Sequence, residues 1–260
     1  MKKIKIIQVS AFFSALIFAV IMVKVIIASS IPKDEIKGYI AVVIDDFGNR
    51  SEGTQDMLNL GIPITAAVMP FLETSAIDAE TAFNKGHEVI LHLPMEPERG
   101  KASWLGPKGI TVDLSTEEIE KRVGEGLDNI KYATGINNHT GSKAMKDERV
   151  IGTVLKVVKE RRIAFLDSKT TESRIAERIC KEEGIRYHKR DIFLDHNNNV
   201  YYIEKQLDAA GEKALKDGYA IVIGHVGPAG GNTTVQGLKN KIKALQEKGI
   251  VFVRLSELPR

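Results

Sequence analysis

The amino-acid sequence predicts an α/β protein, a distorted or incomplete (β/α) barrel of seven to eight parallel strands. Three observations predict it. Short β-rich apolar runs alternate with helical stretches from residue 39 onwards, which is the pattern of parallel strands joined by crossover helices. The first run, Ile40 to Ile44 in "YIAVVIDDFGNR", is apolar without alternation and ends at a glycine turn, as a strand covered on both faces reads. Seven or eight such units within about 220 residues suit a ring of strands better than an open doubly wound sheet. No G-x-G-x-x-G follows the first strand, which weakens a dinucleotide-binding reading.

The strand-like runs are "YIAVVID" (39–45), "PITAAVMP" (63–70), "HEVILHLP" (87–94), "GINNHTG" (135–141), "IAFLDS" (163–168), "IRYHKRD" (185–191), "YAIVIGHV" (219–226) and "IVFVRLSEL" (250–258). Between them lie helical patterns such as "SEGTQDMLNL", "DERVIGTVLKVVKERR" and "TVQGLKNKIKALQEKG". Ser115 and Glu118 have capping-box spacing and open a helix running towards Tyr132. Glycines 61, 86, 135, 184, 218 and 249 stand at or just before strands, where a helix C-cap turns the chain back. One connection is long: Met95 to Leu114 spans about twenty residues and holds the only tryptophan, Trp104. Loops of that length in a compact domain tend to be functional. The glycine-rich "VGPAGGNTT" lacks the lysine of a phosphate-cradling loop and reads as a flexible rim.

The first thirty residues differ from the rest. Lys2, Lys3 and Lys5 precede 18 uncharged residues, Ile6 to Val23, the signature of a signal peptide or an N-terminal membrane anchor. Ala28-Ser29-Ser30 offers a small-residue cleavage site. Residues 31–38 then form a short linker, and residues 39–260 the globular domain. The basic start keeps the N-terminus in the cytoplasm and exports the remainder. The expected location is therefore extracytoplasmic, secreted or anchored to the outer face of the cytoplasmic membrane, with membrane association through the N-terminal segment. The leader holds four of the 37 basic residues and no acid, leaving 33 basic against 34 acidic side chains, a net of −1. That balance gives no reason to expect nucleic acid. Nothing in the sequence signals a protein partner. The single cysteine, Cys180, sits in an amphipathic helical pattern and reads as a small core hydrophobe.

Ionisable groups recur at the C-terminal ends of the strands: Asp45 and Asp46, His92, His139, Asp167, Asp191 and His225. In a parallel barrel those ends converge on one mouth, where catalytic groups gather. Imidazole and carboxylate together suit a divalent metal ion, zinc (Zn2+) before others, with three protein ligands and one open position. A cation also explains two adjacent aspartates: one carboxylate binds it, and the other takes a proton. Side chains alternate along a strand, so the two aspartates are given different roles. Asp195 and His196 either cap the next helix or reach the site. His87, at a strand's start, reads as structural, and His188 as a core or interface histidine. Lys169 and Arg190 lie near the mouth, placed for an anionic substituent, and Trp104 completes the candidate substrate-binding set. Ser142 lacks the G-x-S-x-G context of a serine hydrolase.

The motifs "VVIDDFG", "GHEVILHLPMEP", "INNHTGS", "FLDSKT", "RDIFLDH" and "IVIGHV" resemble those of the divergent polysaccharide deacetylases, a distant branch of the metal-dependent polysaccharide deacetylase superfamily. The resemblance spans roughly residues 38 to 258 and implies a deacetylase-like barrel. It implies Asp45 as base, Asp46 as metal ligand and His225 as catalytic acid; on chemical grounds Asp191 or Asp167 is expected to orient His225 and keep it charged. The better-studied deacetylases bind metal through His-x-x-x-His; here "HLPME" pairs His92 with Glu96. A related barrel family opening with "ADDFG" draws its third ligand from a later histidine, to which His139 corresponds. The implied ligands are Asp46, His92 and His139, with Glu96 as the alternative third.

By that resemblance the protein is a metal-dependent C–N hydrolase removing N-acetyl groups from amino sugars of a cell-envelope carbohydrate polymer, peptidoglycan being the extracytoplasmic candidate. The family's arginine–proline and aspartate–tryptophan motifs, which shape the sugar groove, have no clear match. That departure keeps two other readings: a hydrolase of a different amide or ester, and a catalytically weak envelope carbohydrate-binding or scaffold protein.

Overall fold

The computed structural model describes residues 36–100 and 105–259. The expected leader (1–30), most of the linker and Trp104 lie outside the described residues. No helix among the described residues is long and apolar enough to cross a membrane.

Among the described residues nine strands form one sheet, and every pairing is parallel. They are β1 (Gly38–Phe47), β2 (Thr65–Val68), β3 (Glu88–Met95), β4 (Ala133–Thr140), β5 (Ala164–Asp167), β6 (Tyr187–Lys189), β7 (Ile192–Phe193), β8 (Tyr219–His225) and β9 (Ile250–Val253). Seven α-helices connect them: α1 (Thr54–Met57), α2 (Ser75–Asn84), α3 (Thr116–Asn129), α4 (Glu148–Arg161), α5 (Ile175–Glu183), α6 (Val200–Asp217) and α7 (Gly231–Glu247). Eight strands follow the order β6-β5-β4-β3-β2-β1-β8-β7, and β9 pairs with β1 off that path. Along one edge of β1, β9 takes Gly38 to Ala41 and β2 takes Val43 to Phe47. The architecture is the open, curled (β/α) half-barrel that the sequence pattern predicts.

The two edge strands are β6 and β7, and only Arg190 and Asp191 link them. The Arg190 N–H donates to the Asp167 carbonyl, extending the β5–β6 ladder; the next N–H, of Asp191, donates to the Ile221 carbonyl of β8 (both 2.9 Å). The expected strand 185–191 is thus two short strands that switch partners. Asp191 stands at the beginning of the second, and the mouth position passes to Asp195.

Two apolar clusters explain the unbroken apolar run of β1. Ile40, Val42 and Ile44 pack outward with helix residues such as Ile119, Val154 and Leu238. Ala41 and Val43 pack inward with Ala67, Ile90, Leu166, Ile221 and Ile223, a cluster to which no α-helix contributes a buried residue. Burying each of these valine, leucine and isoleucine side chains stabilises by roughly 1.5–3 kcal/mol. Leu255 and Leu258 join the inner cluster at the strands' N-terminal end. There buried Glu88 accepts from Thr65 Oγ1, Thr134 Oγ1 and the Ser256 N–H. Cys180 is buried in α5 with its thiol pushed up to about 12 by burial, as an inert core residue. Half of the predicted capping box forms: Ser115 Oγ accepts from the Glu118 N–H, while the Glu118 carboxylate pairs with Arg122.

Candidate metal and hydrolytic centre

Inward positions of the strands' last residues build the mouth. On β1, Asp45 is 2 % exposed, and its backbone pairs with His225 of β8. Regular alternation would turn Asp46 away from it. Asp46 instead has φ 68°, and the β1–β2 register shifts between Ile44 and Phe47. A non-glycine residue in this region costs of order 1–3 kcal/mol and is held by its surroundings. The surroundings are visible: Ser51 Oγ donates to the Asp46 carbonyl, and buried Asp78 accepts the Gly48 N–H and the Thr74 hydroxyl. Gly48 itself has φ 122° with Met69 O and Ser75 Oγ where a Cβ would stand. The bulge brings both carboxylates to the mouth in unlike environments.

His92 of β3 and His139 of β4 meet Asp46 there. Asp46 Oδ1 lies 3.3 Å from His92 Nε2 and 3.2 Å from His139 Nδ1, and the two nitrogens are 3.0 Å apart. All three ligand atoms fall within 4.8 Å of one another. Asp46 Oδ1 is buried, yet no group among the described residues gives it a hydrogen bond. An orphaned buried carboxylate oxygen costs free energy. One proton shared between the rings leaves it unserved, whereas a single divalent cation accepts all three lone pairs, and two nitrogens with one oxygen fit zinc. Burial alone would raise the Asp46 carboxyl, but His139 and His92 outweigh it and hold it far below the usual carboxylate range. Burial likewise opposes a charge on His92, but Asp45 and Asp46 raise its pKa.

Across the mouth, His225 Nδ1 lies 2.8 Å from Asp195 Oδ1. Asp195 Oδ2 accepts the His225 N–H (2.7 Å) and the Thr234 hydroxyl (2.8 Å). Burial works against the imidazolium, but Asp195, followed by Asp45 and Asp46, pushes its pKa up to about 9. The edge of the Phe193 ring meets His225 with centroids 5.1 Å apart, and the Arg190 guanidinium lies 4.9 Å over Phe193. Arg190 is fixed by donation to the Ser168 and Lys169 carbonyls.

Several expectations need correction. Neither Asp191 nor Asp167 orients His225. Asp191 accepts the Ile221 N–H and lies 3.4 Å from Lys213. Asp167 follows inward Leu166, so it turns outward, accepting from Tyr187 OH and the Lys169 N–H. Asp195 takes that place, while Asn199 caps α6. Glu96 is engaged elsewhere, accepting from the Val112 N–H and Lys143 Nζ and so pinning the long loop. The segment after His225 packs as a wall around Asp195 in place of the expected rim: Thr234 is wholly buried, and a Cβ at Gly230 would collide with Asp195 Oδ2 and Thr234 Oγ1. Lys169, half-buried with φ 54°, supplies backbone groups to Asp167 and Arg190. His87 is structural, bonded to the Leu58 carbonyl and the Ile64 N–H. Sequence reasoning missed Asn137, buried between Asp45 and His92; its place beside His139 in "NNHTG" was the available signal.

A family model described as divergent polysaccharide deacetylase matches residues 42–259. The chain belongs to the divergent polysaccharide deacetylase family. The uncharacterized protein YibQ of Escherichia coli strain K12 is 34% identical over 221 residues, covering 85% of this chain and 67% of that one. An uncharacterized protein of Haemophilus influenzae is 30% identical over 211 residues, covering 81% and 75%. Among solved structures, the uncharacterized ATU2773 of Agrobacterium tumefaciens matches with TM-score 0.78 at 20% identity, covering 85% of this chain and 89% of that one. The Bc1960 peptidoglycan N-acetylglucosamine deacetylase matches with TM-score 0.54 at 13% identity, covering 85% and 87%. At such identities the structural likenesses establish a shared fold.

Proposed function

We propose that this divergent polysaccharide deacetylase is an exported, divalent-metal-dependent hydrolase that removes N-acetyl groups from amino sugars of an envelope polysaccharide, with peptidoglycan as the candidate polymer. One observation carries the reading: the buried, orphaned Asp46 Oδ1 between His92 Nε2 and His139 Nδ1. The fold shared with Bc1960, whose activity is peptidoglycan N-acetylglucosamine deacetylation, supports the choice of substrate, and the charged, apolar N-terminus supports export.

Asp46, His92 and His139 would hold the cation. When bound, it supplies Lewis acidity, polarising the acetamide carbonyl and lowering the pKa of a water towards about 7. Asp45 stands beside the site with Oδ1 bonded to Asn137 and Oδ2 still able to accept, so it takes the proton of the attacking water. His225, charged through Asp195, gives a proton to the departing nitrogen, which would otherwise leave poorly. Products are acetate and the free amine; the Asp45 proton and the acetic-acid proton pass to solvent, and His225 takes one proton back. Half-buried Arg190, fixed at the opposite rim, is placed for an anionic substituent of the sugar.

Elemental analysis followed by acetate release from N-acetylated chitooligosaccharides and peptidoglycan fragments tests this reading. Bound metal with acetate release is expected. Metal without acetate release would move the assignment to another amide or ester, and absence of metal would overturn it.

A further inference from the structure

Asn137 has no charge and no nucleophile, yet it lies fully buried between the two chemistries of the mouth. Its Oδ1 is 2.9 Å from His92 Nδ1, and its Nδ2 is 2.9 Å from Asp45 Oδ1 and 3.2 Å from Ser168 Oγ. The direction of a buried amide follows from what its neighbours can donate or accept. An ionised Asp45 only accepts, so the NH2 end must face it. That leaves the amide oxygen against His92 Nδ1, which must therefore carry hydrogen. In the neutral ring the lone pair is then on Nε2, the atom aimed at Asp46 and His139.

We infer that Asn137 is a positioning residue acting on both groups: it fixes the His92 tautomer that presents Nε2 to a divalent cation, and it holds Asp45 by one oxygen with the other left to accept. A carboxylate on one strand thereby sets, through one amide, the donor atom on another. The tautomer claim stands on these contacts alone, while the role in turnover rests on the hydrolase reading above.

The test is the full-length protein with Asn137→Ala and Asn137→Asp, read by Zn2+ affinity in chelator competition and by 15N chemical shifts of His92 in the metal-free protein at a pH where the ring is neutral. Wild type should show protonated Nδ1. Asn137→Ala should lose that preference and bind Zn2+ about 10–100-fold more weakly, the usual effect of removing a ligand's hydrogen-bond partner. Asn137→Asp keeps an acceptor for His92 but confronts Asp45 with a second carboxylate. It should retain the tautomer and Zn2+ affinity within a few-fold while acetate release falls, a division that general destabilisation would not produce. Wild-type shifts with Nδ1 unprotonated, or Asn137→Ala binding Zn2+ as wild type does, would overturn the inference. If the alanine variant fails to fold, loss of the tautomer in Asn137→Asp overturns it equally. If wild type binds no Zn2+, the hydrolase reading fails, and the 15N shifts still decide the tautomer.

Discussion

The two sides of the mouth each carry a carboxylate with an imidazole, and they treat it in opposite ways. On the β7–β8 side, both oxygens of Asp195 are engaged, by the His225 ring, the His225 N–H and Thr234. On the β3–β4 side, Asp46 Oδ1 is equally hidden from water and has no donor among the described residues. Buried polar groups are almost always paired; the first arrangement meets that rule within the described residues, and the second departs from it. A satisfied carboxylate holds its histidine in one orientation and one charge state. An unsatisfied one facing two further lone pairs is a receptor, and a cation is the class of ligand that answers all three. On the proposed reading, the group that gives a proton and the groups that gather charge stand on opposite sides of one opening.

The harshest way to break this comparison is to remove the receptor. Asp46→Asn should retain the fold but lose stoichiometric metal by elemental analysis, and acetate release should fall to background. Retention of full metal would show that the orphaned oxygen is not a ligand. His225→Ala attacks the other side: metal content should stay at wild-type level while turnover drops about 10²–10⁴-fold, the range for losing a general acid. Loss of metal in that variant would mean that the two sides are not independent. A smaller effect sharpens the contrast without chemistry. Zn2+ at 100 times its dissociation constant should stabilise the folded state by about 2.7 kcal/mol, raising the melting temperature by roughly 5–10 °C for a domain of this size. Asp46→Asn should show no such shift, and an equal shift in both would place the cation elsewhere.

The fold was legible because β1 is apolar on both faces and glycines mark the returns; one domain-wide rhythm wrote it. Asp45, Asp46, His92, His139 and His225 were legible as strand-end positions. What failed has local causes. Asp191 was misplaced because the chain changes sheet edges between residues 190 and 191, and a two-residue strand leaves no period to read. Asp167 was miscast because a single step along β5 reverses the face, and only the packing of Leu166 reveals which. Asp46 reaches the mouth through a positive φ that nothing in "IDDFG" announces beyond the glycine that follows. Asn137 was passed over because its importance lies in what it joins, and amides carry no charge to draw the eye.

The subtlest prediction concerns pH and the finished side of the mouth. His225 has its pKa pushed up to about 9, burial being outweighed chiefly by Asp195. An acid with a raised pKa is competent below it, so acetate release should fall as pH rises towards about 9; a cation at Asp46 offsets one of the charges that favour the imidazolium and brings that limb lower. In Asp195→Asn the leading favourable partner is gone and burial remains, so the alkaline limb should move down, towards or below the ordinary histidine value of about 6.5. Stability carries the same signature with its sign fixed by linkage: a raised folded-state pKa stabilises fully below about 6.5, and that contribution fades as pH rises through about 9. The stability gap between wild type and Asp195→Asn should therefore be widest in mild acid and narrow across this window, measured by denaturant unfolding at several pH values. A gap that does not change with pH would mean that Asp195 only packs against His225, and the division of labour across the mouth would lose its second half.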